Sequence, residues 1–248
     1  MSIQGKTTLI SGASKGIGLA LARGFARGGS HVAMWYNTDP SCIETAASLS
    51  REFGVNCRAY QVPIQDQARV AEAVKEARAD FGALDIVIAN AGEPWGLGFM
   101  LDTSPEQYRR HVGVNLHGSY ATAHAAGEIF KRQGHGSLIF TASMSATIVN
   151  TPYLQAPYNM CKAALVHLAK SLAVEWAAFA TVNCVSPGYI ATEYYNATPS
   201  SFRKDVESRT PIGRAGECDD LVDIYIMLAT NRNTTGANVI SDGGFTVV

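Results

Sequence analysis

The chain carries almost no net charge: 20 Lys and Arg stand against 21 Asp and Glu over 248 residues, leaving −1 at neutral pH. That balance removes the basic footprint that nucleic acid or an anionic membrane surface requires, so neither partner is expected. Although 47% of residues are hydrophobic, no uninterrupted apolar run approaches the length that crosses a bilayer. Cysteine is sparse, at 42, 57, 161, 184 and 218. The odd number, wide scatter and lack of any Cys-x-x-Cys pair speak for reduced thiols in packing roles rather than a disulfide framework. Histidines 31, 111, 117, 124, 135 and 167 form no ligand-like cluster with acids or cysteines, so no metal centre is expected. There is no internal repeat, no block of like charge and no proline- or serine-rich linker, and the economical reading is one domain over 1–248. Met-Ser-Ile-Gln-Gly-Lys passes straight into Thr8-Leu9-Ile10, leaving no room for a secretory signal, so a cytoplasmic location is expected.

What the chain does have is alternation. Short β-branched or apolar runs at Thr7 to Ser11, His31 to Tyr36, Cys57 to Gln61, Leu84 to Ala89, Gly136 to Thr141, Thr181 to Ser186 and Asn238 to Ile240 read as strands. Helical patterns near 16 to 28, 40 to 53, 66 to 81, 104 to 132, 157 to 177 and 217 to 229 separate them. Strands interleaved with helices predict an α/β fold: one doubly wound Rossmann sheet of seven parallel strands flanked by helices. The stretch 187–216, with Pro187, Gly188, Pro199, Pro211 and Gly213, has no clear periodicity. A structureless segment of that length in a compact domain is usually functional, and it is expected to form a lid over the carboxyl ends of the strands.

Immediately after the first strand comes Gly12-Ala-Ser-Lys-Gly-Ile-Gly18, running directly into Leu19-Ala20-Leu21-Ala22 at helical spacing. Glycines let the backbone turn tightly and approach a pyrophosphate, and the positive end of the helix attracts its charge. In this strand–turn–helix context the motif predicts a dinucleotide site built from Gly12, Ser14, Lys15, Gly16, Ile17 and Gly18. The second strand ends Met34-Trp35-Tyr36-Asn37-Thr38, without the carboxylate that grips a ribose 2′-hydroxyl. Asn37 and Thr38 can donate to a 2′-phosphate and Lys15 can add a positive charge, so NADP(H) is expected; the rival is Asp39 reaching the hydroxyl instead. Further on, Tyr158 and Lys162 stand four residues apart in Ala-Pro-Tyr-Asn-Met-Cys-Lys. On a helix that spacing stacks phenol and ammonium on one face, where the cation is expected to lower the tyrosine pKa toward neutrality and ready it to protonate a carbonyl oxygen.

With the glycine turn, Asn90-Ala91-Gly92, Asn115, Ser143, Tyr158-Asn-Met-Cys-Lys162, Pro187-Gly188 and the closing Asp242-Gly-Gly in order, the chain resembles the short-chain dehydrogenase/reductase family over essentially its whole length. Tyr36-Asn37-Thr38, Ser186-Pro-Gly-Tyr-Ile-Ala-Thr192 and the Asp242-Gly-Gly-Phe ending look most like fungal NADPH-dependent mannitol dehydrogenases and sorbose reductases. The resemblance implies that Tyr158 protonates the substrate oxygen and that Lys162 binds the nicotinamide ribose. It implies that Ser143 steadies the oxyanion and that Asn115 helps hold a water relaying protons to Lys162. It also implies that Asn90 and Gly92 support the central sheet and the adenosine ribose, and that Pro187, Gly188, Ile190 and Thr192 line the nicotinamide. Ser145 competes with Ser143, which is preferred because Ala146 then takes the family's small-residue position. One departure stands out: the third strand ends Val62-Pro63-Ile64 where many relatives have Asp-Val. Proline lacks both the carboxylate and the backbone donor, so adenine recognition is expected to change, with Gln65 or Asp66 sharing it.

These readings predict an NADPH-dependent carbonyl reductase acting on a small-molecule ketone, with a ketose–polyol pair favoured by the resemblance. Glu93 to Gly96, Met144, Thr151 to Gln155, Tyr189 and Glu193 to Phe202 are the expected pocket. The aromatics Trp95, Tyr153, Tyr194, Tyr195 and Phe202 leave open a bulkier ketone or imine, or simple packing of the lid. A cofactor-binding scaffold without redox chemistry is the remaining alternative. Relatives usually form homotetramers through the helices near 104–132 and 157–177, and the small apolar runs Ala121 to Ala126 and Ala163 to Ala173 suit burial on more than one side.

Overall fold

In the computed structural model, which describes residues 2–94 and 98–248, the strands are β1 (Thr7–Ile10), β2 (His31–Tyr36), β3 (Cys57–Gln61), β4 (Ile86–Ala89), β5 (Ser137–Thr141), β6 (Thr181–Pro187) and β7 (Asn238–Ser241). They pair in parallel as one sheet in the order β3-β2-β1-β4-β5-β6-β7. Five of the seven runs differ from the expected bounds by one or two residues, and β2 and β3 match them. β1, β4 and β5 are buried along their whole length, which is why they read as continuous apolar runs rather than as alternation.

The α-helices among the described residues are α1 (Gly16–Arg27), α2 (Ser41–Phe53), α3 (Gln67–Phe81), α4 (Pro105–Val112), α5 (Gly118–Gln133), α6 (Ala156–Glu175), α7 (Glu193–Asn196), α8 (Ser200–Arg209) and α9 (Val222–Thr230). They cover both faces of the sheet. On one face Val70, Val74, Phe130 and Leu165, from α3, α5 and α6, pack over Leu9, Val87, Leu138 and Val182. On the other, Leu21, Phe25, Leu49 and Tyr225, from α1, α2 and α9, pack over Ile10, Met34, Ile88 and Ile139. Burying each such large side chain contributes on the order of 2 kcal/mol, which makes these two layers the main stabilising feature. No helix among the described residues is long and apolar enough to cross a membrane.

Two expectations need refinement. The pattern over 104–132 is helical without a break from Pro105 to Gln133, but it is not uniform α-helix: between α4 and α5 lies a π-helical turn, Gly113–His117. Its cause is Asn115, whose Oδ1 accepts the Glu93 N–H at 3.2 Å while its Nδ2 donates to His111 O at 3.2 Å, drawing the ladder out of register. The 187–216 segment is not structureless either. Thr192 caps α7 by accepting from Tyr195 N, and α8 follows. Tyr195, Val206 and Ala215 form a satellite core with Phe202 and Tyr189 packed against it. The ends of the segment meet where Ala191 N donates to Gly216 O and Gly216 N to Tyr189 O, so it is a closed excursion with its own small core.

Register places the functional turns together. Ile10 pairs with both Met34 and Ile88, Ala89 with Phe140, and Thr141 with Val185. The turns after β1, β2, β4, β5 and β6 therefore leave one edge of the sheet, and the strand order reverses between β1 and β4, the usual place for a ligand in such sheets.

Candidate active site

The glycine turn is shaped as a cradle. Gly12 has φ +67° and Gly16 φ +53°, backbone that a side chain strains. A Cβ on Gly18 would lie 2.0 Å from Gly12 O, and one on Gly12 would lie 3.0 Å from Ala91 Cα. Lys15 stands at the N-cap of α1 in extended conformation and its side chain does not cap the helix, so the first turn offers its amides to an anion. Ser14 and Ile17 complete the turn between these positions. Thr192 Cγ2 would meet a Cβ on Gly16 at 3.2 Å, so the 187–216 segment folds back against the same turn. Bulkless backbone, an uncapped helix end and an overhanging segment fit a dinucleotide pyrophosphate.

Asn90 ties the strands beneath. Its backbone N–H donates to Ser11 Oγ at 3.0 Å and to Ile88 O at 3.0 Å, its Nδ2 donates to Ser11 O at 3.0 Å, and its Oδ1 accepts from Thr141 Oγ1 at 3.1 Å. Gly92 is kept small by its neighbours: a Cβ there would lie 3.0 Å from Asn115 Oδ1 and 3.5 Å from Lys162 Nζ. Pro187 closes β6, Gly188 N donates to Ser241 O at 2.9 Å, and Ile190 is buried.

At the end of β2, Tyr36 is buried while Asn37 and Thr38 are exposed. Asp39 turns one carboxylate oxygen, Oδ1, to Ser41, accepting from Ser41 N at 3.1 Å and Ser41 Oγ at 2.6 Å; these bonds hold its pKa below the usual carboxylate range, with Lys15 adding to the effect. Gln65 and Asp66 are likewise engaged, Gln65 Nε2 on Arg110 O and Asp66 Oδ1 as the cap of α3 on Arg69 N.

The Tyr158, Lys162 and Ser143 side chains converge at the start of α6. Ser143 Oγ accepts from Ser145 N at 3.2 Å and its hydroxyl donates to Tyr158. Ser145 Oγ instead accepts from Gln155 Nε2 at 3.0 Å. Lys162 is buried, its Nζ donating to Thr141 O at 2.9 Å and standing 5.5 Å from the Tyr158 ring centroid. The electrostatics reverse one expectation. Burial pushes the Tyr158 phenol up to about 12, opposed by the Ser143 hydrogen bond and reinforced by Cys161, Tyr189 and Tyr194, rather than down toward neutrality. Burial pushes Lys162 down to about 8. The spacing places the ammonium beside the ring correctly; what spacing does not contain is the desolvation of both groups, which is the larger effect.

The expected pocket wall is partly a core. Tyr153 meets Phe202 at 4.5 Å, and Tyr189 meets Phe202 at 5.7 Å and Phe245 at 5.4 Å, all edge-on. Tyr194 remains exposed and Met144 is buried; Trp95 and Gly96 lie outside the described residues. Sequence reasoning missed Thr141, whose backbone oxygen holds Lys162, and His111, which sits beside Tyr158. The His111–Asn115 spacing on one helical face was the available signal for the latter.

A parallel sheet with a dinucleotide-shaped turn at its crossover, and a serine, tyrosine and lysine gathered at the same edge, define a nicotinamide-type oxidoreductase. Residues 12–246 match the family profile described as enoyl-(acyl carrier protein) reductase, and the chain belongs to the short-chain dehydrogenase/reductase family. It is 46% identical to a probable NADP-dependent mannitol dehydrogenase of Yarrowia lipolytica, over 98% of this chain and 88% of that protein. It is 45% identical to a sorbose reductase of Candida albicans, over 99% of this chain and 88% of that one. An NADPH-dependent 3-quinuclidinone reductase from Rhodotorula rubra superposes with TM-score 0.95 at 39% identity, over 100% of this chain and 93% of that one.

Proposed function

We propose that the chain is an NADP(H)-dependent carbonyl reductase that interconverts a ketone and a secondary alcohol, with a ketose–polyol pair as its substrate class. The observation that carries this reading is the Ser143–Tyr158–Lys162 cluster, in which Lys162 Nζ, held by Thr141 O, stands 5.5 Å from the phenol ring. The phenol is protonated at the pH of the cell and can act there as an acid. A bound reduced nicotinamide supplies the hydride that adds to the carbonyl carbon. Tyr158 Oη gives its proton to the oxygen as charge develops there. Ser143, whose Oγ already accepts from Ser145 N, turns to the same oxygen the one hydroxyl hydrogen that it otherwise gives to Tyr158. Lys162 keeps a positive charge beside the phenol below about pH 8.

Cofactor choice rests on Asp39. One oxygen of its carboxylate, Oδ1, is bound by Ser41 N and Oγ, which ties the side chain to the start of α2, while Asn37, Thr38 and Lys15 offer donors and charge for a 2′-phosphate. The relatives named for NADP and NADPH support the same choice. Gly12, Ser14, Gly16, Ile17 and Gly18 hold the pyrophosphate, Tyr36 floors the adenosine, Asn90 and Gly92 stand beneath the ribose, and Pro187, Gly188, Ile190 and Thr192 flank the nicotinamide. Asn115 joins the catalytic group through Gly92 and Lys162. The mannitol and sorbose relatives favour a polyhydroxylated substrate. The working form is one domain over 1–248, assembled as a cytoplasmic homotetramer.

The test is loss of NADPH absorbance with fructose, sorbose, xylulose and 3-quinuclidinone, repeated with NADH. NADPH is expected to be preferred in kcat/KM, with ketoses the better substrates. Tyr158→Phe is expected to lower kcat by at least a hundredfold while NADPH still binds, since an acid–base group contributes about 10²–10⁴ in rate. Full activity in that variant, or a clear NADH preference, refutes the assignment.

A further inference from the structure

Helix α4 ends on a charged cluster that the proposed chemistry does not use. His111 is 1% exposed. Its Nδ1 lies 3.6 Å from Glu93 Oε1 and its ring centroid 6.0 Å from that of Tyr158. One turn on, Asn115 Nδ2 stands 3.3 Å from each ring nitrogen, and Asn115 Oδ1 accepts from Glu93 N. The other Glu93 oxygen, Oε2, accepts from Arg110 Nη2 at 3.1 Å, and the Arg110 side chain is 72% exposed. A run of neighbouring groups thus leads from the half-buried phenol to the exposed Arg110 side chain. Asn115 Nδ2 can only donate and Glu93 can only accept, so the neutral ring carries its proton on Nδ1 toward Glu93 and turns the lone pair of Nε2 to Asn115.

Among the described residues, the charged and titratable groups facing His111 include Glu93 from the loop after β4, and Tyr158 and Lys162 from α6. Arg110 from its own helix acts through Glu93. Burial is the largest influence and holds the imidazole below its usual range; Glu93 raises it and Lys162 lowers it further. Protonation removes the only acceptor that the ring offers Asn115 and places a second cation near Lys162. We propose that His111, oriented by Glu93, is a positioning residue for Asn115 and Tyr158, and that protonation of its ring sets the acid limb of carbonyl reduction.

The inference rests on the reductase reading for its rate measurement. Reduction consumes a proton, and Tyr158 stays protonated at low pH, so the cluster without His111 predicts no fall in rate toward acid. The test is kcat for ketone reduction against pH in the wild type, Glu93→Gln and His111→Asn, with the His111 ring followed by NMR in the purified chain. The wild type is expected to lose about tenfold in rate per pH unit below the His111 midpoint, as a single proton requires. Glu93→Gln is expected to move that limb to lower pH, because the carboxylate no longer favours the imidazolium. His111→Asn, which keeps an acceptor without titrating, is expected to lose the limb and retain activity within about tenfold at neutral pH.

A flat acid side in the wild type, or pH-independent losses in both variants, overturns the proposal. Should His111→Asn fail to fold, Glu93→Gln carries the test, since the Glu93 side chain is 27% exposed. Should the chain reduce no ketone, the reductase reading falls separately. The proposal is then read from the Asn115 amide and Tyr158 ring signals, which must shift at the His111 midpoint; signals indifferent to it overturn the proposal.

Discussion

Lys162 shows how far function and stability diverge at a single residue. Its ammonium is buried with one hydrogen bond, to Thr141 O. The unfolded chain holds that proton up to about 10.5 and the folded chain only to about 8. The folded form therefore prefers the neutral amine, so the contribution of this group to stability is present above 10.5 and is lost as pH falls through 8. The full cost at neutral pH is on the order of 3 kcal/mol. Lys162→Met fills nearly the same space without a charge and gives up one hydrogen bond, a loss of about 1 kcal/mol. The variant is expected to be inactive yet more stable at pH 7 by up to about 2 kcal/mol, with the gain vanishing by pH 11. Urea unfolding at the two pH values measures it, and a variant less stable at pH 7 than the wild type contradicts the argument. The Tyr158 expectation erred for the same reason: sequence supplies the partner four residues away but not the depth at which both are buried.

At the level of elements, what could be read from the chain divides by the origin of the signal. β1, β4 and β5 declare themselves because both faces are covered, and the glycine turn does because its conformation demands those residues. The π turn at Asn115 was hidden because its cause is a bond to Glu93, far away in sequence. Helices α7 and α8 were hidden because they bury only a narrow local cluster under Tyr195 and Val206, too small to imprint a clear 3.6-residue period. Ser143 is preferred to Ser145 on position alone, because Ala146 then takes the family's small-residue place; the two side chains also differ in their partners, which spacing does not contain. Glycines inside helices give the converse case, in which packing overrides propensity. In α1, a Cβ on Gly24 would lie 2.3 Å from Val222 Cγ1. Alanine improves helix propensity there by about 1 kcal/mol, whereas forcing α1 away from the 3₁₀ turn Cys218–Leu221 and α9 costs about 1–3 kcal/mol. Gly24→Ala is expected to lower the unfolding midpoint in urea by an amount equal to about 1 kcal/mol with unchanged slope. A stabilised variant would mean that α9 yields freely.

For the whole molecule, the outer faces of the helices leave apolar surface that the sheet does not use. On α6 the exposed positions Met160, Ala163, His167, Lys170 and Val174 recur at spacings of three and four, and Val174 is 80% exposed. On neighbouring α5, Tyr120 is 52% exposed, and on α4 the Tyr108 hydroxyl reaches Met160 Sδ at 3.9 Å. An amphipathic helix normally turns charge outward along such a stripe, and here one lysine and one histidine interrupt mostly small or apolar residues. A net charge of only −1 adds little repulsion between copies. These features are what the proposed tetramer requires: α5 and α6 of one subunit meeting the same helices of another about a two-fold axis, where each residue faces its own symmetry mate or a near neighbour. Sedimentation equilibrium is expected to return four times the 26.4 kDa chain mass. Val174→Glu puts a carboxylate into each copy of that contact and is expected to shift the species to dimers or monomers, with the far-UV spectrum preserved because the side chain packs against nothing within its own subunit's core. A wild-type monomer at micromolar concentration would refute the assembly, and a Val174→Glu tetramer would move the interface to the β7 edge and the exposed Val247 and Val248 beyond it.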